Sequence, residues 1–210
     1  MAQIIKFPAP ASKFGHKRVK RRAQPSEHPN QLPLFATSGA KILDILSGLS
    51  AFEQALILDE RGDGRAEELY RRAIAEQDRL ADAYCNLGIL QSKQGNAIQA
   101  FDSFTAALTH EPRHFEAHYN LGNMYFDVND HRLAQVHYQI AAEIEPSFAN
   151  VYFNLALVQA MANDFAGAIQ ALLTYQSLAP DREARHADEL LENLKKSLVV
   201  AGSARSGAAS

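Results

Sequence analysis

Three prolines, Pro112, Pro146 and Pro180, stand 34 residues apart, and this spacing constrains the chain more than any other feature. Sliding the sequence by that distance lays ADAYCNLGILQSKQGNAIQAFDSFTAALTHEP over FEAHYNLGNMYFDVNDHRLAQVHYQIAAEIEP, and that over ANVYFNLALVQAMANDFAGAIQALLTYQSLAP. Leu87, Leu121 and Leu155 fall in one column, as do Gly88, Gly122 and Ala156. Ala100, Ala134 and Ala168 form another, and Phe104, Tyr138 and Leu172 a fourth. A fixed period of this length implies a stacked array, because no single unit can bury its apolar face alone. Each unit reads as two helical stripes separated by a Gly or Asn break. Tyr84, Leu87 and Gly88 fit one face of a first helix; Ile98, Phe101, Phe104, Ala107 and Leu108 fit one face of a second. The small residues at Gly88 and Ala100 let the two helices approach closely. Proline then ends each pair, since it cannot continue the helical hydrogen-bond ladder.

These columns resemble the tetratricopeptide repeat over roughly residues 81–182. The resemblance implies an all-α fold, a TPR α-solenoid of about four helix pairs with a C-terminal capping helix. Repeats are expected at 81–114, 115–148 and 149–182, inside a solenoid covering 41–200. A degenerate pair at about 47–80 precedes them, with Ala55, Leu58, Gly62, Ala66, Tyr70 and Ala73 near the expected columns. Its interhelix turn is one residue short, and Asp78 stands where the later units carry proline. The cap is expected at 183–199, with Ala184, Ala187, Leu190, Leu191, Leu194 and Leu198 on one face. Residues 1–40 read as a basic, proline-containing disordered arm and 201–210 as a flexible tail.

Bulk properties agree with a packed body. Hydrophobic residues make up 47% and charged residues 21% of the 210, ordinary globular usage, so a core is expected. No apolar run is long enough to span a bilayer, and no secretory leader is expected. A single cysteine, Cys85, excludes an intramolecular disulfide and a cysteine zinc cage, and suits a cytoplasmic setting. The net charge of −3 hides an asymmetry. Residues 1–45 carry eight Lys/Arg against two acids, whereas the remaining 165 carry thirteen against twenty-two.

By resemblance, TPR arrays bind peptides or partner domains in a concave groove lined by the first helix of each pair. Here one first-helix column reads Asn86, Asn120, Asn154 and its neighbour reads Cys85, Tyr119, Phe153. Another reads Ile89, Asn123, Leu157, and a fourth Asp82, Glu116, Asn150. A carboxamide presents donors and an acceptor together, so it can grip both the N–H and the C=O of one peptide unit. The column looks like the asparagine ladder in the TPR superhelix of O-GlcNAc transferases; the alternative is a set of tolerated polar residues beside the core. The carboxylate clamp of TPR cochaperones does not fit. Without cations, a carboxylate brought into this groove would stay uncompensated. An apolar or basic extended ligand suits it better, with Asp82 and Glu116 at the rim, and the chain's own residues 1–30 are one candidate occupant. The candidate peptide-groove residues are therefore Asn86, Asn120, Asn154, Asn123, Tyr119, Phe153 and Cys85.

Catalysis is not expected. His114 and His118 could share one helix face, but no third ligand follows at a metal-binding spacing. Cys85 has no evident base partner and reads as a small apolar residue. No phosphate loop or nucleophile elbow is present, and neither a metal nor another cofactor is implied. The arm carries a second class of function. Five of its cations, Lys17, Arg18, Lys20, Arg21 and Arg22, lie within six residues and are candidate nucleic-acid contacts. A solvated tail, an acidic partner, an anionic membrane or a transit peptide are the alternatives. Gln31-Leu32-Pro33-Leu34-Phe35 resembles the bacterial sliding-clamp-binding pentapeptide, through Gln31, Leu32, Leu34 and Phe35. The structural alternative, which the exposed apolar end of a repeat array favours, is that Leu34 and Phe35 fold back over the first helix pair. The primary expectation is a non-enzymatic protein-binding adaptor or scaffold; the second is a DNA-associated or sliding-clamp-associated factor. Partner identity and oligomeric state stay open.

Overall fold

A computed structural model describes residues 15–19, 48–180 and 184–207. Among the described residues the fold is all α, with no strand. Its helices are α1 (Ala51–Glu60), α2 (Ala66–Ala75), α3 (Leu80–Lys93), α4 (Ala97–His110), α5 (Phe115–Asp127), α6 (His131–Ile144), α7 (Ala149–Met161), α8 (Phe165–Leu178) and α9 (Asp188–Gly207). A 3₁₀ turn, Arg185–Ala187, leads into α9. The chain divides into two compact units, one spanning residues 18–112 with α1 to α4, the other holding Lys17 with α5 to α9. No helix among the described residues is long and apolar enough to cross a membrane.

The turn inside each helix pair is the same device four times. Gly62, Gly95, Asn129 and Asn163 take the left-handed conformation, with φ of 70°, 82°, 61° and 61°. Glycine meets no Cβ penalty there, and asparagine tolerates the region better than other side chains. The residue after each one sends its N–H back five residues: Asp63 to Leu58, Asn96 to Gln91, Asp130 to Tyr125 and Asp164 to Gln159, at 2.8–2.9 Å. This satisfies carbonyls that the ending helix leaves orphaned. Asp130 and Asp164 then begin the second helix, their side chains accepting from the Leu133 and Gly167 amides. One dipeptide thus stops one helix and starts the next.

The degenerate pair keeps this turn but differs at its boundaries. Ser50 and Glu53 close a capping box on α1. Asp78, the residue standing where later units carry proline, accepts from the Phe52 amide at 2.8 Å and so ties the end of the pair back to its beginning. Without proline to break the chain, Gln77 and Arg79 do so with positive φ of 56° and 51°.

Packing within a pair depends on the small-residue columns. A Cβ at Gly88 would lie 2.9 Å from the Phe104 ring, and one at Gly122 only 2.6 Å from the Tyr138 ring. Phe104 and Tyr138 are fully buried. In the last repeat the same columns hold Ala156 and Leu172, a slightly larger residue matched to a smaller one. Second helices bury a narrow stripe: Ala100, Ser103, Phe104 and Ala107 in α4, and Ala134, Tyr138 and Ala141 in α6. Ile98, placed on that face by its spacing, is instead 81% exposed. The stripe begins at Ala100, and Ile98 falls nearly opposite it because two residues advance a helix by about 200°. First helices are buried more fully, as in α7, where every residue from Phe153 to Ala160 is buried.

The cap packs on α8, with Ala187 of the 3₁₀ turn and Leu190, Leu191 and Leu194 of α9 all buried. Leu198 lies beyond this contact at 42% exposure. The helix continues to Gly207, so residues 201–207, expected as tail, are helical.

The ring–glycine contacts yield a test. Gly122→Ala should lower unfolding free energy by about 1–3 kcal/mol through overpacking, although alanine alone favours a helix interior by about 1 kcal/mol. Gly88→Ala should cost less. Urea titration of both variants checks the order, and a Gly122→Ala protein as stable as the parent would show that Tyr138 can move aside.

Candidate functional site

The asparagine column lies on the first helices, and two of its members hold the chain's own backbone. In the unit of residues 18–112, the Val19 amide donates to Asn86 Oδ1 at 3.0 Å, while Asn86 Nδ2 donates to the Val19 carbonyl at 3.2 Å. In the other unit, the Lys17 amide donates to Asn120 Oδ1 at 2.9 Å, and Asn120 Nδ2 donates to the Lys17 carbonyl at 2.8 Å. Each carboxamide therefore satisfies both backbone groups of one residue. Residues 15–19 adopt no helix or strand. Asn86 and Asn120 are both fully buried, so an empty carboxamide there would be expensive.

The third member has other partners. Asn154 Nδ2 donates to the Tyr119 hydroxyl and to Asn123 Oδ1, both at 3.1 Å. Tyr138 also donates to Asn123 Oδ1, at 2.7 Å. Asn123 Nδ2 is buried with no hydrogen-bond partner among the described residues. Asn123, Tyr119 and Asn154 thus form one polar cluster within the α5–α7 packing. Burial, above all, holds the Tyr119 and Tyr138 hydroxyls protonated, pushing both well above the ordinary tyrosine range.

The column beside the asparagines is less available than its position implied. Cys85 and Tyr119 are 0% and 1% exposed, and Phe153 packs its ring on Tyr175 with centroids 5.2 Å apart. These side chains belong to the helix packing, because first helices are covered on most of their circumference. The aromatic presented to the bound segment is Phe148, the residue before α7. Lys17 Nζ sits 4.5 Å above its ring, and Phe148 meets Phe115 and Tyr119 edge-on at 5.2 and 5.3 Å. A cation over such a face is favoured by the ring quadrupole.

The two acids expected at the rim have their near neighbours on or beside their own helices. Asp82 pairs with Arg79 at 2.6 Å, and Glu116 lies 3.7 Å from His114. The acid that meets the basic segment is one that sequence reasoning missed. Asp59, in the last turn of α1, is 6% exposed and takes the Arg18 guanidinium at 2.8 Å. Its other oxygen accepts from the Tyr70 hydroxyl at 3.2 Å. Burial pushes the Asp59 carboxyl up, while Arg18 and Tyr70 pull it back down. A signal was present: a carboxylate at a helix C-terminus opposes the macrodipole and asks for a compensating cation.

Two of the five arm cations, Lys17 and Arg18, are therefore committed to protein contacts. Lys20, Arg21 and Arg22, with the pentapeptide residues Gln31, Leu32, Leu34 and Phe35, lie outside the described residues. His114 and His118 do not converge on a ligand. His114 Nδ1 caps α5 by accepting from the Ala117 amide at 3.1 Å, whereas His118 Nδ1 lies 3.0 Å from His137 Nδ1. No group of three metal-ligating side chains occurs among the described residues. His137 also stacks on Tyr125, centroids 5.4 Å apart.

An all-α fold of paired helices that carries polar columns on its first helices belongs to the α-solenoid class. A family model described as the tetratricopeptide repeat matches residues 85–134 and 123–183, so residues 85–183 belong to the tetratricopeptide-repeat family. The chain is similar to protein O-mannosyl-transferase Tmtc3 of Drosophila melanogaster, at 28% identity over 144 residues. That alignment covers 67% of this chain but 16% of the relative, so the likeness concerns a small part of that protein. Among solved structures, a crystal structure of MamA matches with a TM-score of 0.55 and 21% identity, over 74% of this chain and 96% of that one. MamA 41-end from Desulfovibrio magneticus RS-1 matches with a TM-score of 0.58 and 18% identity, over 70% and 87%. At these identities the structural likenesses show the fold.

The histidine pair carries a pH dependence. Burial, then the neighbouring His118 ring, hold His137 down to about 4 from 6.5. The folded state thus keeps His137 neutral where the unfolded chain would take up a proton. Its contribution is complete above pH 6.5 and is lost as pH falls through that window toward 4, at no more than about 1.4 kcal/mol per pH unit. Melting temperature should fall between pH 6.5 and 4.5, and His137→Gln should flatten the slope. An unchanged slope in the variant would assign the acid sensitivity elsewhere.

Proposed function

We propose that this protein is a non-enzymatic adaptor that holds an extended peptide of a partner through the carboxamides of its first-helix asparagines. The observation that carries this reading is the reciprocal pair of hydrogen bonds made by Asn86 to Val19 and by Asn120 to Lys17. A grip on N–H and C=O together does not depend on the side chain at the gripped residue, so it suits any extended segment. Side chains between and beside the gripped positions then supply selectivity. The surroundings favour basic ones: a cation over the Phe148 ring, and a guanidinium against Asp59. The tetratricopeptide-repeat match supports the same reading, since repeats of this family serve as scaffolds for protein interaction.

The test uses the full-length protein with Lys17→Gly, Arg18→Ser and Val19→Gly, which removes the resident segment's side-chain anchors and leaves an added peptide to compete with its backbone bonds alone. It is titrated with a fluorescent peptide of residues 13–22, KFGHKRVKRR. Adding Asn86→Ala or Asn120→Ala should weaken binding about tenfold each, the worth of two modest hydrogen bonds and a buried amide left unpaired. Unchanged affinity in both variants would remove the asparagine grip as the basis of recognition.

A further inference from the structure

The surface of the first two helix pairs has a property that a backbone grip does not explain. Asp59 is a carboxylate whose side chain is 3% exposed, and each of its oxygens has a separate partner. Tyr70 Oη donates to Oδ2 from within the same helix pair, and the fully buried Tyr70 ring holds that hydroxyl in place. Oδ1 takes Arg18 Nη2, and Arg18 comes from a segment 41 positions earlier in sequence, with no helix of its own. The next residue, Val19, is 5% exposed, and its backbone is bracketed by Asn86. Charge, backbone and apolar burial therefore converge on two consecutive residues. The carboxylate is built in, while the cation is borrowed.

We propose that Asp59, Tyr70 and Asn86 form a pocket selective for arginine followed by an aliphatic residue, and that Arg18-Val19 fills it in cis as a stand-in for the same dipeptide in a partner protein. This deepens the peptide-holding reading above and rests on it. Tyr70 occupies one oxygen and orients the other, so the pocket offers a single fixed acceptor in a site largely closed to water. A guanidinium suits it: it is always charged, weakly hydrated and planar, whereas an ammonium loses more hydration on entering. A neutral residue leaves the carboxylate buried without its counter-charge, a penalty large enough to reject it. That same penalty explains why the chain supplies an arginine of its own: an empty pocket is costly, and a tethered segment fills it at high effective concentration. A partner therefore has to displace residues 18–19 before it is held.

Two experiments test this, both with full-length protein. In the first, limited trypsin digestion read by mass spectrometry follows cleavage after Lys17 and Arg18. Asp59→Asn removes the charge without emptying the site, and it should accelerate cleavage there about tenfold or more; an unchanged rate would overturn the seating of Arg18 by Asp59. In the second, the Arg18→Ala protein and the parent are titrated with the fluorescent 13–22 peptide and with the same peptide carrying Arg18→Gln or Arg18→Lys. The Arg18→Ala protein should bind the arginine peptide about tenfold more tightly than the parent does, and prefer it over the glutamine peptide by a similar factor, with lysine between. Adding Asp59→Asn should erase the preference while leaving the glutamine peptide's affinity in place. Equal binding by parent and Arg18→Ala protein would refute occupation in cis. Equal affinity for arginine and glutamine peptides would refute the selectivity. Asn86→Ala separates the two readings: it should weaken every peptide alike, so loss of the preference without that uniform loss, or the reverse, shows which one fails. If Arg18→Ala proves unstable, the digestion of the Asp59→Asn protein decides alone.

Discussion

The close approach of the two helices in each pair is the constraint on which the rest depends. It requires a residue with little or no side chain on the first helix where a ring from the second crosses it, as Gly88 does for Phe104 and Gly122 for Tyr138. That contact sets how near the axes lie and how far each first helix is turned about its own axis. Rotation in turn decides which residues face packing and which face the bound segment. Within its own unit α3 directs Asn86 to the backbone of Val19 and sinks Cys85 into the helix packing; within the other, α5 directs Asn120 to that of Lys17 and sinks Tyr119. The left-handed turns at Gly62, Gly95, Asn129 and Asn163 make this geometry repeat, because each ends one helix with the same returning hydrogen bond before the next begins.

Fully buried carboxamides are unusual members of an apolar interior, and the three of the asparagine column are accounted for by partners. Asn86 and Asn120 find theirs in a segment distant in sequence; Asn154 finds its own in Tyr119 and Asn123. One column thus serves two purposes. Where a segment without helix or strand is near, the amide grips its backbone. Where a tyrosine hydroxyl and a second asparagine are near, it becomes a strut between neighbouring helices. Asp59 follows the same logic with a full charge, and for that reason discriminates more sharply among side chains than an amide can.

Much of the fold was legible in the sequence. The 34-residue period placed the helix pairs, the Gly and Asn breaks marked their turns, and the Gly88 and Gly122 columns marked the tight contacts. Legibility ended where a residue's neighbours come from elsewhere in the chain. Ile98 matched an apolar stripe by spacing yet lies exposed, since the buried stripe of α4 is only as wide as the residues that α3 covers. Asp82 and Glu116 looked like the acids of the site because they shared a column, but Asp82 pairs with Arg79 nearby and Glu116 lies beside His114. Asp59 belongs to no column, so its role appears only once Arg18 is seen beside it.

By itself, then, the sequence determined the class of fold, the number and order of helix pairs, and the asparagine column as a candidate site. Those are properties of periodicity and local backbone preference, and both are written in consecutive residues. Only the tertiary structure decided which asparagines grip a backbone, which acid is paired with arginine, and that the basic residues before the repeats lie on the helices that follow them. Such pairings depend on burial and on contacts across 41 to 103 positions of sequence. A buried polar group accepts whichever partner the fold brings within hydrogen-bond reach, and no local pattern encodes that reach.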